Sequence, residues 1–143
     1  MAEMNPGQTW ECEQKLPLPI GVSNYCLAAS EYYYIDKTMM IKDFIDERPM
    51  VTLFTRPRRF GKSLLISTLA CYYDRTKADR FEELFGRTWI GEHPTEEHNR
   101  YMVVRYDFSK MVMADDMEGL ERNFNDLNCS AVEIMVTHNR DLF

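Results

Sequence analysis

Apolar residues return every three or four positions in several segments, a spacing that places them on one face of an α-helix. The two longest such segments are 64–73 and 117–137. A third begins after Thr38, a residue suited to cap a helix, and stops before Pro49. Shorter helices are predicted at 23–29, with Ser23 as its cap, and at 79–85.

Three other segments favour β-strands because they are rich in aromatic, β-branched or continuous apolar residues. They are 32–35, 50–54 and 101–108. The five-residue run at 50–54 is typical of a strand buried in a parallel sheet. Strand, loop, helix, strand and helix in this order predict an α/β fold with parallel strands flanked by helices.

The segment between the 50–54 strand and the 64–73 helix resembles a phosphate-binding loop. It reads Thr55-Arg56-Pro57-Arg58-Arg59-Phe60-Gly61-Lys62-Ser63. A P-loop has the form G-x-x-x-x-G-K-[ST] between a strand and a helix. Gly61, Lys62 and Ser63 fill its last three positions, whereas Arg56 replaces the first glycine. Pro57, with its fixed φ, can shape the turn that this glycine normally eases.

Each matching residue has a physical reason to contact a nucleotide. Gly61 lets the backbone approach phosphate closely, and the amides near it lie at the positive end of a helix. Lys62 supplies a point charge to the β- and γ-phosphates and is the predicted catalytic residue, and the Ser63 hydroxyl is the predicted Mg²⁺ ligand. The predicted cofactors are thus ATP and Mg²⁺. The predicted nucleotide contacts are Arg58, Arg59, Phe60, Gly61, Lys62, Ser63 and Leu64. A basic, solvated turn is the alternative.

Composition and charge limit the other possibilities. Hydrophobic residues make up 45% and charged residues 28%, as in globular proteins. The net charge of −6 disfavours nucleic acid as a partner of the whole chain, although a local basic patch can override it. No apolar run of about 18 residues marks a membrane span, and the acidic N-terminus does not resemble a signal peptide. The four scattered cysteines are expected to be reduced thiols, so a cytoplasmic protein is expected.

Several elements together resemble the AAA-ATPase-like family of bacterial P-loop proteins. The loop at 56–63 resembles the loop of that family, which accepts a non-glycine first position. Leu16-Pro17-Leu18-Pro19-Ile20-Gly21 resembles its "LPIG" element, and Tyr33-Tyr34-Ile35-Asp36-Lys37-Thr38 its "YYVDKT" element. The segments 81–85 and 103–109 resemble its "ELF" and "VIxLDFS" elements. The resemblance covers 16–143, and 1–15 reads as a loose tail.

The resemblance implies the N-terminal part of a P-loop ATPase with an incomplete AAA-like fold. Family members continue into an acidic Walker B strand, and many carry a PD-(D/E)XK-type nuclease domain; neither is recognisable here. Asp107 ends a strand-like segment, but capping the next turn with Ser109 is the favoured interpretation. The element at 36–38 either caps a helix or contributes to the adenine or ribose pocket. Hydrolysis by this chain alone is not expected.

Two alternatives to an ATP-binding ATPase portion stay open. One is a non-hydrolysing nucleotide sensor or interaction module that acts through a partner. The other is a nucleic-acid-binding fragment that uses the basic loop, with nucleic acid or protein partners reached through further domains. The family strand order also predicts that 50–54 and 101–108 do not pair directly, which would expose apolar edges such as Val103 and Val104 and promote association.

Overall fold

The computed structural model describes residues 16–143 of the chain, and the predicted tail at 1–15 lies outside them. Within this range the main elements are α-helices, joined by short 3₁₀ helices at Arg75–Arg80, Phe108–Lys110 and Arg140–Leu142. The α-helices are α1 (Tyr25–Glu31), α2 (Met39–Glu47), α3 (Lys62–Tyr73), α4 (Phe81–Phe85), α5 (Trp89–Glu92) and α6 (Met117–His138).

The helices with the clearest apolar periodicity lie where the sequence predicts them. α2 follows Thr38 and ends in the left-handed residue Arg48, just before Pro49. α6 begins after Asp116, whose carboxylate accepts the Gly119 amide at 2.7 Å and caps the helix. α1 also forms, but it begins after Asn24 and Ser23 does not cap it. α5 was not predicted, because a four-residue helix has no measurable periodicity.

The predicted α/β P-loop fold with parallel strands is wrong for residues 16–143, where helices form and no sheet does. The single strand-like contact is an isolated parallel bridge between Asp74 and Tyr101. The segment 50–54 is irregular, and its Met50 and Val51 are exposed. The physical reason is that a strand needs neighbouring backbone to pair its amides and carbonyls. Within the described range, no backbone hydrogen bond joins 50–54 to another segment.

The core forms where five helices meet. α1 packs on α3 and α4, and α5 packs on α4 and α2. The buried apolar residues at this junction are Tyr25, Ile41, Cys71, Tyr72, Leu84, Phe85 and Ile90. α3 is therefore held against the core along one side, which leaves its N-terminal end at the edge of the packed helices.

The long helix α6 is covered less than its sequence predicts. Its apolar stripe was expected to be buried, yet Phe124 and Val132 are 44% and 42% exposed. Its C-terminal end is held by Arg75, which pairs with Asp141 at 2.7 Å and donates to Asn139 at 3.2 Å. No helix in the described range is long and apolar enough to cross a membrane.

Candidate functional site: the loop before α3

The loop that enters α3 has a special backbone conformation at two positions. Gly61 is left-handed, with φ +74, and no protein atom lies within 4 Å of where its Cβ would be. Arg59 is also left-handed, with φ +67, and a residue with a Cβ pays about 1–2 kcal/mol for this. The positive φ of Gly61 thus favours glycine at this position, and the space beside this residue is open. Strain of the kind seen at Arg59 is concentrated at functional sites.

The N-terminal end of α3 presents unsatisfied backbone donors. No side chain caps this end, and the first intrahelical bond to Gly61 comes from the Leu65 amide at 2.9 Å. The amides of the three preceding residues, 62–64, donate no hydrogen bond within the described part of the chain. Free amides at a helix N-terminus attract anions, since the helix dipole adds positive potential there.

Lys62 curls back over the loop. Its Nζ donates to the carbonyl oxygen of Arg56 and to that of Pro57, the latter at 3.2 Å. Both acceptors are neutral, and Lys62 pairs with no carboxylate within residues 16–143. The charge stays next to the open helix end and can turn from the carbonyls to a stronger, anionic acceptor.

The arginines of the loop add to this positive charge. Arg56, Arg58 and Arg59 are exposed, and none forms an ion pair with a carboxylate within residues 16–143. Elsewhere in the described range, Arg75 and Arg80 do pair with acids. The chain has a net charge of −6, so this loop is a local positive patch on an acidic protein.

A cavity of about 300 Å³ opens beside the loop. That volume is at the lower end of the range for small-molecule sites, about 300–1,000 Å³. Three segments line it: 18–19, 33–41 and 54–68. Gly61 and Lys62 lie in its wall, together with Tyr33, Tyr34 and Phe60. The cavity is thus largely apolar and aromatic, with the positive helix end at its border.

The predicted site residues are only partly brought together. Phe60, Gly61, Lys62 and Leu64 line the cavity, whereas Arg58, Arg59 and Ser63 do not. Ser63 is exposed at the first turn of α3. The sequence did not mark Leu18 and Tyr33 as site residues, although both lie in segments singled out for their resemblance. Only their proximity in space shows that these segments share a wall.

Residues of the element at 36–38 both hold α5 and line the cavity. Asp36 accepts the Thr38 amide at 2.8 Å and the Trp89 amide at 2.7 Å. Thr38 is buried and its hydroxyl accepts the Ile90 amide at 3.1 Å, so it does not cap α2 as predicted. Both side chains therefore hold the start of α5. Lys37 and Thr38 also line the cavity, whereas Asp36 does not.

Removing the Asp36 carboxylate should destabilise α5 without changing a residue that lines the cavity. We expect Asp36→Ala to lower the free energy of unfolding by about 1–2 kcal/mol, as for the loss of a helix cap. Urea denaturation followed by circular dichroism measures this. Asp43→Ala is the matched control, because Asp43 is exposed and its carboxylate makes no hydrogen bond within the described residues. Equal stability of the two variants would contradict this role of Asp36.

The Asp107 side chain hydrogen-bonds within the turn that it begins. Its carboxylate accepts the Ser109 hydroxyl at 2.6 Å and the Ser109 amide at 3.1 Å. These bonds, the hydroxyl first, hold the pKa of Asp107 below its usual value. The favoured interpretation, in which Asp107 caps the turn with Ser109, is confirmed. Asp107 does not line the cavity beside the loop.

Comparison with known proteins identifies the family. A model of the family described as Predicted AAA-ATPase matches residues 19–142, which include every segment that lines the loop and its cavity except Leu18. The chain belongs to the AAA-ATPase-like family. This confirms the resemblance that the sequence elements indicated.

A curated relative also matches the chain, but its name states no function. The AAA-ATPase-like chain is similar to the "Uncharacterized protein in vnfD 5'region" of Azotobacter chroococcum mcd 1. The two are 32% identical over 124 residues, covering 84% of this chain and 23% of the relative. The chain therefore spans about a quarter of the relative's length. No solved structure matches it.

Proposed function

We propose that this AAA-ATPase-like chain binds ATP, with the phosphates at the N-terminal end of α3 and the base in the adjoining cavity. The observation that carries the proposal is that the cavity borders a helix end whose amides at 62–64 donate no hydrogen bond to any described residue. Anion binding of this kind needs the loop and the helix, and does not depend on a sheet. Family membership makes a nucleotide the expected ligand.

The residues present fit a nucleotide. In the proposed complex, Lys62 donates to the β- and γ-phosphates in place of the carbonyls of Arg56 and Pro57. Arg58 and Arg59 add charge at the open side of the loop, and the Phe60 ring forms part of the apolar wall. The left-handed Gly61 presents backbone without a Cβ. These residues bind and orient the phosphates.

Mg²⁺ would be held mainly by the nucleotide. Among the described residues no group of three or more His, Cys, Asp or Glu side chains could hold a metal ion. The Ser63 hydroxyl on the first turn of α3 is the protein ligand we propose, and bound Mg²⁺ would neutralise phosphate charge. Mg²⁺ usually binds proteins through few side chains, with phosphate oxygens and water completing its shell. Mg²⁺ should therefore bind only together with ATP.

We propose binding rather than hydrolysis as the activity of this polypeptide. Asp107 is hydrogen-bonded to Ser109 and lies outside the cavity wall. Phosphoryl transfer needs a residue that positions the attacking water, and no acidic side chain of residues 16–143 lines the cavity beside Lys62. In line with the sequence, we place the activity in the bacterial cytoplasm.

A salt and Mg²⁺ titration distinguishes ATP from nucleic acid as the ligand. We expect a fluorescent ATP analogue to bind in the presence of Mg²⁺ and to be released by EDTA. A single-stranded oligonucleotide held by three or four loop cations would lose about 20- to 50-fold in affinity between 50 and 200 mM salt. Binding of the oligonucleotide alone, with that salt dependence, would overturn the proposal. Binding of the ATP analogue that a non-nucleotide polyanion displaces equally well would overturn it too.

A further inference from the structure

Two cysteine thiols meet between α1 and α3. Cys26 of α1 and Cys71 of α3 are 45 residues apart in sequence, and their sulfur atoms lie 3.3 Å apart. Both are free thiols. A disulfide requires a separation of about 2.0 Å, so the sulfurs need to approach by about 1.3 Å. α1 and α3 pack directly on each other, which holds the two sulfur atoms in contact.

The two thiols are not equivalent. Cys26 is half-buried, whereas Cys71 is only 7% exposed. The hydrogen bond with the Cys71 thiol, together with the nearby charges of Lys77 and Arg80, lowers the pKa of Cys26 to about 6. The same bond and burial raise the pKa of Cys71. Cys26 is the accessible nucleophile, and Cys71 is the inner thiol placed to attack it.

We propose that Cys26 and Cys71 form a reversible thiol–disulfide site that couples α1 to α3. The Cys26 thiolate attacks one sulfur of a small-molecule disulfide, such as oxidised glutathione, and releases one glutathione thiolate. Cys71 then loses its proton to water and attacks the Cys26 sulfur, which expels the second glutathione as a thiolate that takes up a proton. Two protein thiols are oxidised, and one glutathione disulfide is reduced to two thiols.

The bond would join two core helices of the domain. α3 is the helix whose first residue is Lys62, and α1 packs along it. Closing a loop of about 45 residues restricts the unfolded chain, which is the main way a disulfide stabilises a fold. Oxidised chain should therefore resist heat better than reduced chain, and a reducing agent should remove the difference.

Oxidised glutathione and mass spectrometry test this on the full chain. After incubation at neutral pH, peptide mapping should find Cys26 linked to Cys71, with the linked pair of peptides lighter than the two reduced peptides by two hydrogen atoms. The midpoint of thermal unfolding should rise by several degrees. Cys129→Ser is the matched control, since Cys129 is an exposed thiol on α6. It should behave like the unmodified sequence in both measurements.

Two further variants separate the roles of the thiols. In Cys71→Ser, the glutathione adduct on Cys26 should persist, because the attacking inner thiol is gone. In Cys26→Ser, no intrachain bond to Cys71 should form, and Cys71 should stay largely unmodified because it is buried. A lasting Cys26 adduct in the unmodified chain would overturn the proposal, since Cys71 is then not placed to attack. Preferential linkage through Cys129 would overturn it as well.

Discussion

Replacing Lys62 by alanine should weaken the binding of a fluorescent ATP analogue by about 10- to 100-fold. A hydrogen bond to a charged group is worth about 1.5–3 kcal/mol, and each 1.4 kcal/mol is a factor of ten in affinity. Among the described residues, the Lys62 Nζ hydrogen-bonds only to carbonyls of its own loop, those of Arg56 and Pro57. The substitution therefore removes the proposed hydrogen-bond donor to the phosphates and leaves the helical core in place.

The controls for Lys62→Ala address charge and folding separately. Lys42→Ala removes the same charge from α2, where Lys42 pairs with Asp46 and does not line the cavity. It should leave the affinity nearly unchanged. Circular dichroism and the thermal midpoint should show that both variants are folded. If Lys62→Ala bound the analogue as well as the unmodified chain, the phosphates could not lie at the N-terminal end of α3.

Replacing Tyr25 by alanine should have the largest effect on stability, about 3–5 kcal/mol, as for other buried aromatic residues. Tyr25 is fully buried. Its ring stacks on Phe85 with centroids 4.9 Å apart, and its hydroxyl donates to the Leu84 carbonyl at 2.8 Å. Its amide donates to the Ser67 hydroxyl at 3.0 Å. One residue thus joins α1 to both α3 and α4. Native domains are stable by only about 5–15 kcal/mol, so this loss is large.

A conservative variant separates the hydroxyl of Tyr25 from its ring. Tyr25→Phe keeps the stacking and leaves the Leu84 carbonyl without its donor, which should cost about 1–3 kcal/mol. Burial raises the pKa of Tyr25. Its hydroxyl is therefore neutral near neutral pH and can donate this hydrogen bond. Tyr33→Phe is the matched control, because Tyr33 is 58% exposed and should tolerate the change. Equal urea midpoints for Tyr25→Phe and Tyr33→Phe would show that the hydrogen bond contributes nothing.

The helices were predictable where their apolar spacing was regular. α2, α3 and α6 lie at or close to their predicted positions, because a helix satisfies its backbone hydrogen bonds within its own segment. The strands at 50–54 and 101–108 were wrong for the opposite reason. Their residues favour a strand, but pairing depends on distant backbone that a local pattern cannot supply. Tyr101 alone forms a bridge, and its partner is Asp74.

The loop before α3 could be predicted from the sequence, but the cavity beside it could not. The Gly61-Lys62-Ser63 pattern correctly placed a loop at the start of a helix, whereas the cavity is assembled from segments up to 50 positions apart. The role of Asp36 depends on α5, which no pattern marked. Likewise, no spacing rule could pair Cys26 with Cys71, because they meet only through the packing of α1 on α3.

The most direct test of the proposed ATP site is an NMR titration of the ¹⁵N-labelled chain with Mg²⁺–ATP. Each backbone amide reports its own surroundings, so the spectrum locates the phosphates without relying on a mutation. We expect the largest amide shifts at Gly61, Lys62 and Ser63, with smaller shifts at the cavity residues Tyr33 and Lys37 and none along α6. Largest shifts on α6, or no shifts at saturating Mg²⁺–ATP, would contradict ATP binding at the N-terminal end of α3.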